Sequence, residues 1–186
     1  MVKNLLFFSL LIYSCSYADV ESNDFDKYSL PTVASVNIEK YMGTWYEIAK
    51  YPNWFEKGCG ATQANYKLLN NGYVSVINRC RELTNVKKIK EAIGTAYVAD
   101  QATNAKLKVS FVPFFQRWGF FAGDYWILAL DPEYQYALVG TPDRKYLWIL
   151  SRSPTLDEAI IKQLKEIAEK DGFDLSKLVV TEVWTD

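Results

Sequence analysis

Eight short segments rich in β-branched and aromatic residues run along the chain at hairpin spacing, and this pattern constrains the fold more than any other. The segments are residues 45–51, 61–69, 73–80, 93–99, 105–112, 124–130, 136–140 and 146–152. In the fifth segment Leu107, Val109 and Phe111 alternate with polar residues, which indicates a strand with one buried and one solvated face. Successive strands joined by turns predict an up-and-down antiparallel sheet, and closure into a barrel removes its exposed edges.

One amphipathic helix is predicted after the last strand. Ser153 is suited to the N-cap and Pro154 to the first turn, whereas Gly172 ends the helix and lets Phe173 fold back onto it. Apolar residues recur on one face of this helix at Leu156, Ile160, Leu164 and Ile167. The predicted fold is therefore all-β, an eight-stranded antiparallel up-and-down barrel with one C-terminal α-helix packed outside.

The N-terminus has the features of an export signal. Lys3 precedes an apolar run at 5–13, which is too short to span a bilayer. Ordinary cleavage would make residues 1–18 a signal peptide. Alternatively, Cys15 stands in a sequence similar to a bacterial lipobox; its lipidation would follow removal of residues 1–14 and would anchor the chain to a membrane.

The remainder is predicted to form one domain behind a short arm, because 186 residues suffice for a single core. Residues 19–35 are polar with little periodicity and are predicted to be an N-terminal arm or tether. Residues 36–186 are predicted to form the barrel domain.

Charge and residue usage exclude several classes of function. The 21 Lys+Arg balance 22 Asp+Glu, whereas nucleic-acid-binding proteins usually show a basic excess. The absence of histidine excludes Ser-His-Asp and Cys-His nucleophiles and His-ligated metal sites. Glu47 is predicted to lie inside the barrel, where a buried carboxylate could act as acid or base, but we expect it to pair with Arg or Tyr. We expect no catalytic residue, no metal and no cofactor.

Two cysteines lie beyond the signal region, Cys59 and Cys80. In an oxidising compartment such a pair is a disulfide candidate, and two buried free thiols are the alternative. A two-residue hairpin turn at Asn71-Gly72 would set Cys80 opposite Gln63. The disulfide therefore requires Cys59 to lie on a loop that folds back, or a different turn.

Three short motifs at the ends of the predicted strands resemble the signature of the lipocalin family. Gly43-x-Trp45 stands at the head of the first strand, Asp131-x-x-Tyr134 in the turn after the sixth, and Arg152 at the end of the eighth. The likeness covers roughly residues 30–184 and looks closest to the bacterial outer-membrane lipocalins, through GTWYEIA, LKVSF, ALDPEY, ALVGTPDR and YLWILSR in order.

Strand alternation independently brings these motifs to one end of the barrel. In a meander the starts of odd strands and the ends of even strands share one end, so Trp45, Asp131 and Arg152 converge there. Arg152 stacked on the Trp45 indole would form a cation–π pair that plugs the floor. Gly43, Trp45, Asp131, Tyr134 and Arg152 are therefore predicted to be structural residues.

The opposite end is predicted to be an open mouth surrounded by four loops. These loops are residues 52–60, 80–92, 113–122 and 140–145. The mouth aromatics are Trp54, Phe55, Phe114, Phe115 and Trp118. The basic residues near the second loop are Arg79, Arg81, Lys87, Lys88 and Lys90. Aromatics beside cations favour entry of an amphiphile with an anionic head or contact with a lipid surface. Packing of the loops on one another, or an interface between two copies of the chain, are the alternatives.

Period-two alternation selects the side chains that face the barrel interior. Counting from Trp45, it turns Glu47 and Ala49 inward. The predicted ligand-lining residues are Glu47, Tyr66, Asn78, Val109, Phe111, Tyr125, Trp126 and Trp148. Ordinary core packing is the alternative for each of them.

The resemblance implies a protein that binds, stores or transports a hydrophobic ligand, such as a fatty acid or lysophospholipid, in a bacterial envelope. There it would be lipid-anchored in the outer membrane or free in the periplasm or medium. A lipid-modifying enzyme that uses Glu47 and a tyrosine on the same barrel is one alternative. An envelope interaction protein whose barrel is filled by its own side chains is the other.

Overall fold

The computed structural model describes residues 29–112 and 122–185. Their α-helices are α1 (Ile38–Tyr41) and α2 (Glu158–Lys170). The strands are β1 (Gly43–Lys50), β2 (Cys59–Leu68), β3 (Val74–Glu82), β4 (Asn85–Val98), β5 (Lys106–Ser110), β6 (Gly123–Leu130), β7 (Tyr136–Gly140), β8 (Leu147–Ser151) and β9 (Val179–Val180). No helix in these residues is long and apolar enough to cross a membrane.

The sheet closes into a barrel because β1 pairs on both of its sides. Strands β2 to β8 follow one another in sequence order, β8 pairs with β1, and β1 pairs back with β2. The first half of β1 lies against β2, while its second half lies against β8 and the short added strand β9. All of these pairings are antiparallel, so the predicted eight-stranded up-and-down barrel is confirmed.

The β2–β3 hairpin differs from the predicted two-residue turn. Leu68 pairs with Val74, and the Leu69 amide donates to the Tyr73 carbonyl, which leaves a three-residue loop at 70–72. Gly72 takes a φ of +81° at the end of that loop, as three-residue hairpin loops require. The extra residue shifts the register by one position.

The prediction of a loop at residues 80–92 is wrong. Strands β3 and β4 continue through it as a paired hairpin that turns at 83–84, and residues 85–93 of β4 are exposed. Among its lysines this segment has only Val86, Ile89 and Ile93 as β-branched residues, at spacings that show no period-two alternation, so its polarity was mistaken for a loop.

Helix α2 packs on the outside of the barrel, as predicted, but it begins later than the sequence indicates. Its N-cap is Asp157, whose side chain accepts from the Ala159 amide, rather than Ser153. Leu164 and Ala168 are buried in a cluster with outward-facing barrel residues. Gly172 (φ +85°) ends the helix, and Phe173 folds back into the same cluster, as expected.

Both chain ends contact the barrel. The described part of the predicted tether is not free, since Leu30 is buried in the helix-facing cluster and the Val33 amide donates to the Ile127 carbonyl. After α2 and a 3-10 turn at Leu175–Lys177, strand β9 lies along β1. This C-terminal pairing was not predicted.

Candidate functional site

One end of the barrel is closed by the motif residues. The Trp45 side chain is fully buried, and its indole N–H donates to the Tyr41 carbonyl. The Arg152 guanidinium carbon lies 3.8 Å from the centre of the Trp45 ring. Gly43 has a φ of +97°, and a β-carbon there would stand 3.3 Å from Arg152 Nη1, so glycine leaves room for the guanidinium. These residues therefore close this end of the barrel, which is called the floor below.

The turn after β6 completes the closed end. The Asp131 carboxylate accepts from the amides of Glu133 and Gln135, which holds Tyr134 at a φ of +60°. Tyr134 then accepts Arg152 Nε at its carbonyl oxygen and the Asn37 amide at its hydroxyl. The motif residues that the sequence places at one end are thus linked to one another, through the Arg152–Trp45 stack and through the hydrogen bond from Arg152 to the Tyr134 carbonyl.

Three tyrosines stand inside the barrel above this floor. The Tyr125 hydroxyl lies 2.8 Å from that of Tyr41 and 3.3 Å from that of Tyr66. Burial raises the pKa of Tyr66 to about 12 and also raises the pKa values of Tyr41 and Tyr125. The three hydroxyls therefore stay protonated and provide polar contacts without charge.

A β-bulge in β1 changes which residues face the interior. The register of β1 against β8 shifts between Glu47 and Ala49, so Ala49 faces helix α2 and the prediction that it lines the interior is wrong. Lys50 takes the inward position instead, paired in register with Trp148. A period-two count fails across a bulge because the extra residue reverses every later side chain.

The bulge brings three charged side chains together near the mouth. Lys50 Nζ lies 2.8 Å from Glu47 Oε1 and 2.8 Å from Glu56 Oε2. The three side chains are 7 %, 3 % and 12 % exposed, respectively. Glu47 therefore pairs with a lysine, not with the expected Arg or Tyr. Asn53 holds Glu56 from the same loop by accepting its amide and donating to its carboxylate.

The pKa values of this triad reflect burial and crowding of like charges. Burial and the neighbouring Glu56 carboxylate raise the pKa of Glu47, against the opposing effect of Lys50. Burial alone would lower the pKa of Lys50, but the two carboxylates beside it outweigh that effect and raise it. Lys50 is therefore charged at neutral pH, and one proton is readily held by the carboxylates.

Most of the predicted lining residues do face the interior. Tyr66, Tyr125, Val109 and Trp148 pack against the interior cluster. Asn78 lies two residues after Val76 in β3, so both side chains point to the same face of the strand. Because Val76 belongs to the interior cluster, Asn78 also faces inward, farther from the floor than Val76. The Asn78 amide oxygen is buried and accepts no hydrogen bond from the described residues.

Trp126 is the exception, and its assignment to the lining is wrong. It packs against the helix-facing cluster, its ring lies 4.3 Å from Lys106 Nζ, and its indole N–H donates to Asp124. Neighbouring residues of a strand point to opposite faces, so Tyr125 and Trp126 cannot both point inward.

Phe111 faces the interior close to the mouth. Its ring lies over Gly94, where a β-carbon would stand 2.8 Å from Phe111 Cδ1. Gly94 in turn pairs with Val76, whose side chain is in the interior cluster. Even so, Phe111 keeps 40 % of its surface accessible. Apolar surface is thus accessible at this end of the barrel.

The mouth carries a line of aromatic rings. The Trp54 side chain is 80 % exposed and meets Phe55 edge-on, at 5.6 Å between ring centres. Phe55 contacts Tyr146 at 5.4 Å, and Tyr146 stacks on Trp148 at 5.8 Å. The other predicted mouth aromatics, Phe114, Phe115 and Trp118, lie outside the described residues.

The predicted basic loop is a hairpin whose cations are largely paired. Lys88 and Lys90 each lie 3.0 Å from Glu82 Oε1, and Arg79 pairs with Glu91 at 2.8 Å. These three cations are 46–62 % exposed, so their interactions are weak.

A disulfide joins Cys59 to Cys80 across β2 and β3, as one of the two sequence alternatives predicts. The one-residue register shift sets Cys80 opposite Thr62, and a bulge between Cys59 and Thr62 brings the Cα atoms of the two cysteines to 5.4 Å. The different turn that the disulfide requires is therefore present.

Sequence reasoning missed Lys50, Glu56, Thr62 and Gly94 as interior or mouth residues. Only Gly94 carries a readable signal, because a glycine inside a strand often marks close approach of another group. The inward position of Lys50 depends on the β1 bulge, which has no signature in the sequence.

Comparisons with known proteins agree with this architecture. A family model for a lipocalin-like domain matches residues 36–183. The chain is 45 % identical over 156 residues to temperature-induced lipocalin-1 of Arabidopsis thaliana, covering 82 % of each. It is 40 % identical over 147 residues to outer membrane lipoprotein Blc of Escherichia coli K12, covering 79 % of each. With apolipoprotein D of Mus musculus it shares 35 % identity over 190 residues, covering 98 % of this chain and 96 % of that one.

Solved structures show the same fold at lower identity. Insecticyanin of the tobacco hornworm, Manduca sexta, superposes with a TM-score of 0.65 at 24 % identity, over 84 % of this chain and 85 % of that one. Lobster apocrustacyanin A1 superposes with a TM-score of 0.64 at 16 % identity, over 85 % and 92 %. At these identities the likeness concerns the fold alone.

Proposed function

The chain belongs to the lipocalin family, and from this premise we propose that it binds, stores or transports a fatty acid or lysophospholipid inside its barrel. One end is plugged by Trp45 and Arg152, so a ligand enters from the other. The driving force is burial of the acyl chain, which contributes about 0.8 kcal/mol per methylene.

The accessibility of Phe111 is the observation that carries this proposal. Phe111 lies at the mouth over Gly94, and 40 % of the residue's surface is accessible, so the open end offers apolar surface to an entering ligand. Below it, Tyr66 and Tyr125 add polar hydroxyls to a largely apolar wall. An amphiphile with one acyl chain suits such a mixed lining.

Ligand extraction tests the proposal directly. We expect native mass spectrometry of the purified protein to show a bound acyl lipid, and the delipidated protein to rebind one. Trp148→Ala, inside the barrel, should weaken binding severalfold, whereas the matched Trp126→Ala, on the outer face, should not. A protein that neither carries nor rebinds an acyl chain would instead be an interaction protein with a filled barrel.

We further propose a binding protein rather than an enzyme. The Glu47 carboxylate is engaged by Lys50, and the interior tyrosines hold their protons because burial raises their pKa values. The tyrosines therefore do not give up a proton at neutral pH, and Glu47, although its pKa lies near neutrality, is held in an ion pair by Lys50. Turnover of a lipid that is lost in Glu47→Gln would show the enzyme alternative to be correct.

Export and anchoring are proposed from the N-terminal sequence, in which Cys15 lies outside the described residues. The relatives come from a plant, bacteria and an animal, so a bacterial envelope location rests on that sequence alone. Radiolabelled palmitate should label the wild type and not Cys15→Ala if the lipobox is used. Equal labelling of both would refute lipidation and leave ordinary cleavage after residue 18. Sedimentation of the mature protein would show whether two copies associate through the exposed mouth.

A further inference from the structure

We propose that the mouth of the barrel contains a subsite for a cationic, ammonium-type head group, built by Glu47, Lys50 and Glu56. The inference rests on the proposed function, because it concerns the head of the amphiphile whose chain occupies the barrel, and of the two proposed ligand classes it favours a lysophospholipid with an ammonium head over a fatty acid. The proposed subsite distinguishes ligand head groups by their charge. The residues responsible are the three buried side chains, not the exposed basic residues of the β3–β4 hairpin.

The charge of the triad is the first step. Two carboxylates share one ammonium, each at 2.8 Å, so the ionised triad has one negative charge in excess. All three side chains are at most 12 % exposed, and water screens them poorly. A ligand cation would bring the ionised group to neutrality, and below a pH of about 8 it would take the place of the proton that Glu47 otherwise holds. An anionic head would instead add a further negative charge beside Glu56 unless it displaced that side chain.

Two buried oxygens without partners provide the second step. Thr62 is 6 % exposed, and its hydroxyl makes no hydrogen bond with the described residues. The register of β1 against β2 pairs Trp45 with Ala64, and continued by two residues it sets Thr62 opposite Glu47 on the inward face. The Asn78 amide oxygen, on the neighbouring strand, is likewise unpartnered in the described chain. Buried polar atoms normally have partners, so these oxygens indicate a polar ligand group beside the triad.

Aromatic rings on the opposite side give the third step. Trp148 pairs in register with Lys50, and Tyr146 and Phe55 continue the row towards solvent. Ring faces beside carboxylates are the surroundings in which proteins hold substituted ammonium groups.

The exposed lysines do not reverse this preference. Lys88 and Lys90 are 62 % and 53 % exposed, and both are paired with Glu82. Exposed pairs of this kind contribute about 0–1 kcal/mol and are screened by salt. The buried triad therefore dominates the selection, in contrast to the anionic head that the basic residues suggest.

Three amphiphiles of equal chain length test the inference: dodecylammonium, whose N–H groups can donate to the Thr62 and Asn78 oxygens, dodecanol and laurate, titrated below their aggregation concentrations into delipidated protein. We expect the ammonium compound to bind about tenfold or more tightly than laurate, with dodecanol between them. In Glu56→Gln the ammonium compound should lose about tenfold in affinity, while dodecanol is unchanged. Glu91→Gln, a carboxylate on the outer face of the hairpin, should alter neither.

The outcomes separate the inference from the function on which it rests. If dodecanol binds and laurate matches or exceeds the ammonium compound, the cationic subsite is wrong and lipid binding stands. If the preference survives Glu56→Gln in a variant that still binds dodecanol, the triad is not its source. If none of the three binds the wild type, both proposals fail.

Discussion

The Arg152 guanidinium stacks on the Trp45 indole at 3.8 Å and donates to three carbonyl oxygens at the same time. These oxygens belong to Lys40, Thr44 and Tyr134, which lie in α1, in β1 and in the turn after β6. A single side chain at the end of β8 thus joins three separate parts of the floor. A guanidinium group can make the stacking contact and the three hydrogen bonds together because it is planar and carries several N–H donors.

Arg152→Lys should therefore destabilise the fold although it keeps the charge. A lysine ammonium cannot stack on the ring and reach all three carbonyl oxygens, and we expect a loss of about 3 kcal/mol in the free energy of unfolding. Urea unfolding followed by tryptophan fluorescence measures it. Arg79→Lys, in an exposed pair with Glu91, is the control and should change stability by less than about 0.5 kcal/mol. Unchanged stability with weakened ligand affinity in Arg152→Lys would mean that Arg152 contacts ligand.

Reduction of the Cys59–Cys80 disulfide should loosen the mouth without unfolding the barrel. The bond closes a loop with a sequence separation of 21, for which chain entropy predicts about 3 kcal/mol of stabilisation. The double variant Cys59→Ser, Cys80→Ser should match the reduced wild type in urea midpoint and should not respond to dithiothreitol. An identical midpoint for oxidised and reduced wild type would contradict this expectation.

Gly94→Ala should be poorly tolerated. A β-carbon at this position would lie 2.7 Å from the Ser110 carbonyl oxygen and 2.8 Å from the Phe111 ring, so either the β4–β5 pairing or the ring must move. We expect a loss of about 1–3 kcal/mol, measured as a lower thermal midpoint. Gly123→Ala is the matched control, since its β-carbon would stand 3.9 Å from the nearest atom. Equal midpoints for the two variants would show that Phe111 does not occupy the space over Gly94.

The parts of the fold that depend on local pattern were predictable from the sequence. Alternation in β5, the turn residues between strands and the apolar face of α2 are all properties of neighbouring residues. The convergence of Trp45, Asp131 and Arg152 at one end followed from alternating strand direction. This prediction needed no knowledge of interatomic distances, because each strand end in a meander must lie at one of only two ends of the barrel.

The parts that depend on a single inserted residue were not predictable. The bulge after Glu47 exchanges Ala49 for Lys50 at the interior, and the extra residue in the 70–72 loop shifts Cys80 from Gln63 to Thr62. Each insertion has a small local cost in free energy and is determined by contacts between residues that are distant in sequence. One such contact is the hydrogen bond that the Thr181 amide donates to the Ile48 carbonyl. The charged triad was missed for this reason.

Stability should fall as pH rises from mildly acidic to mildly alkaline values, and Glu47 should be the cause. Burial and the nearby Glu56 raise the pKa of the Glu47 carboxyl from its ordinary 4.5 to about 8. Between these values the folded chain keeps a proton that the unfolded chain releases. The resulting stabilisation is complete below the lower value and is lost as pH rises through the upper one.

The difference between wild type and Glu47→Gln isolates this effect from other titrating groups. Urea unfolding at pH 5 and pH 8.5 should show that wild type loses on the order of 2 kcal/mol more than the Gln variant over this interval. Glu91→Gln, whose carboxylate is 40 % exposed, should keep the wild-type dependence. Parallel pH profiles for wild type and Glu47→Gln would mean that Lys50 holds the carboxylate ionised throughout. In that case the buried triad would carry its excess negative charge at every pH in this range.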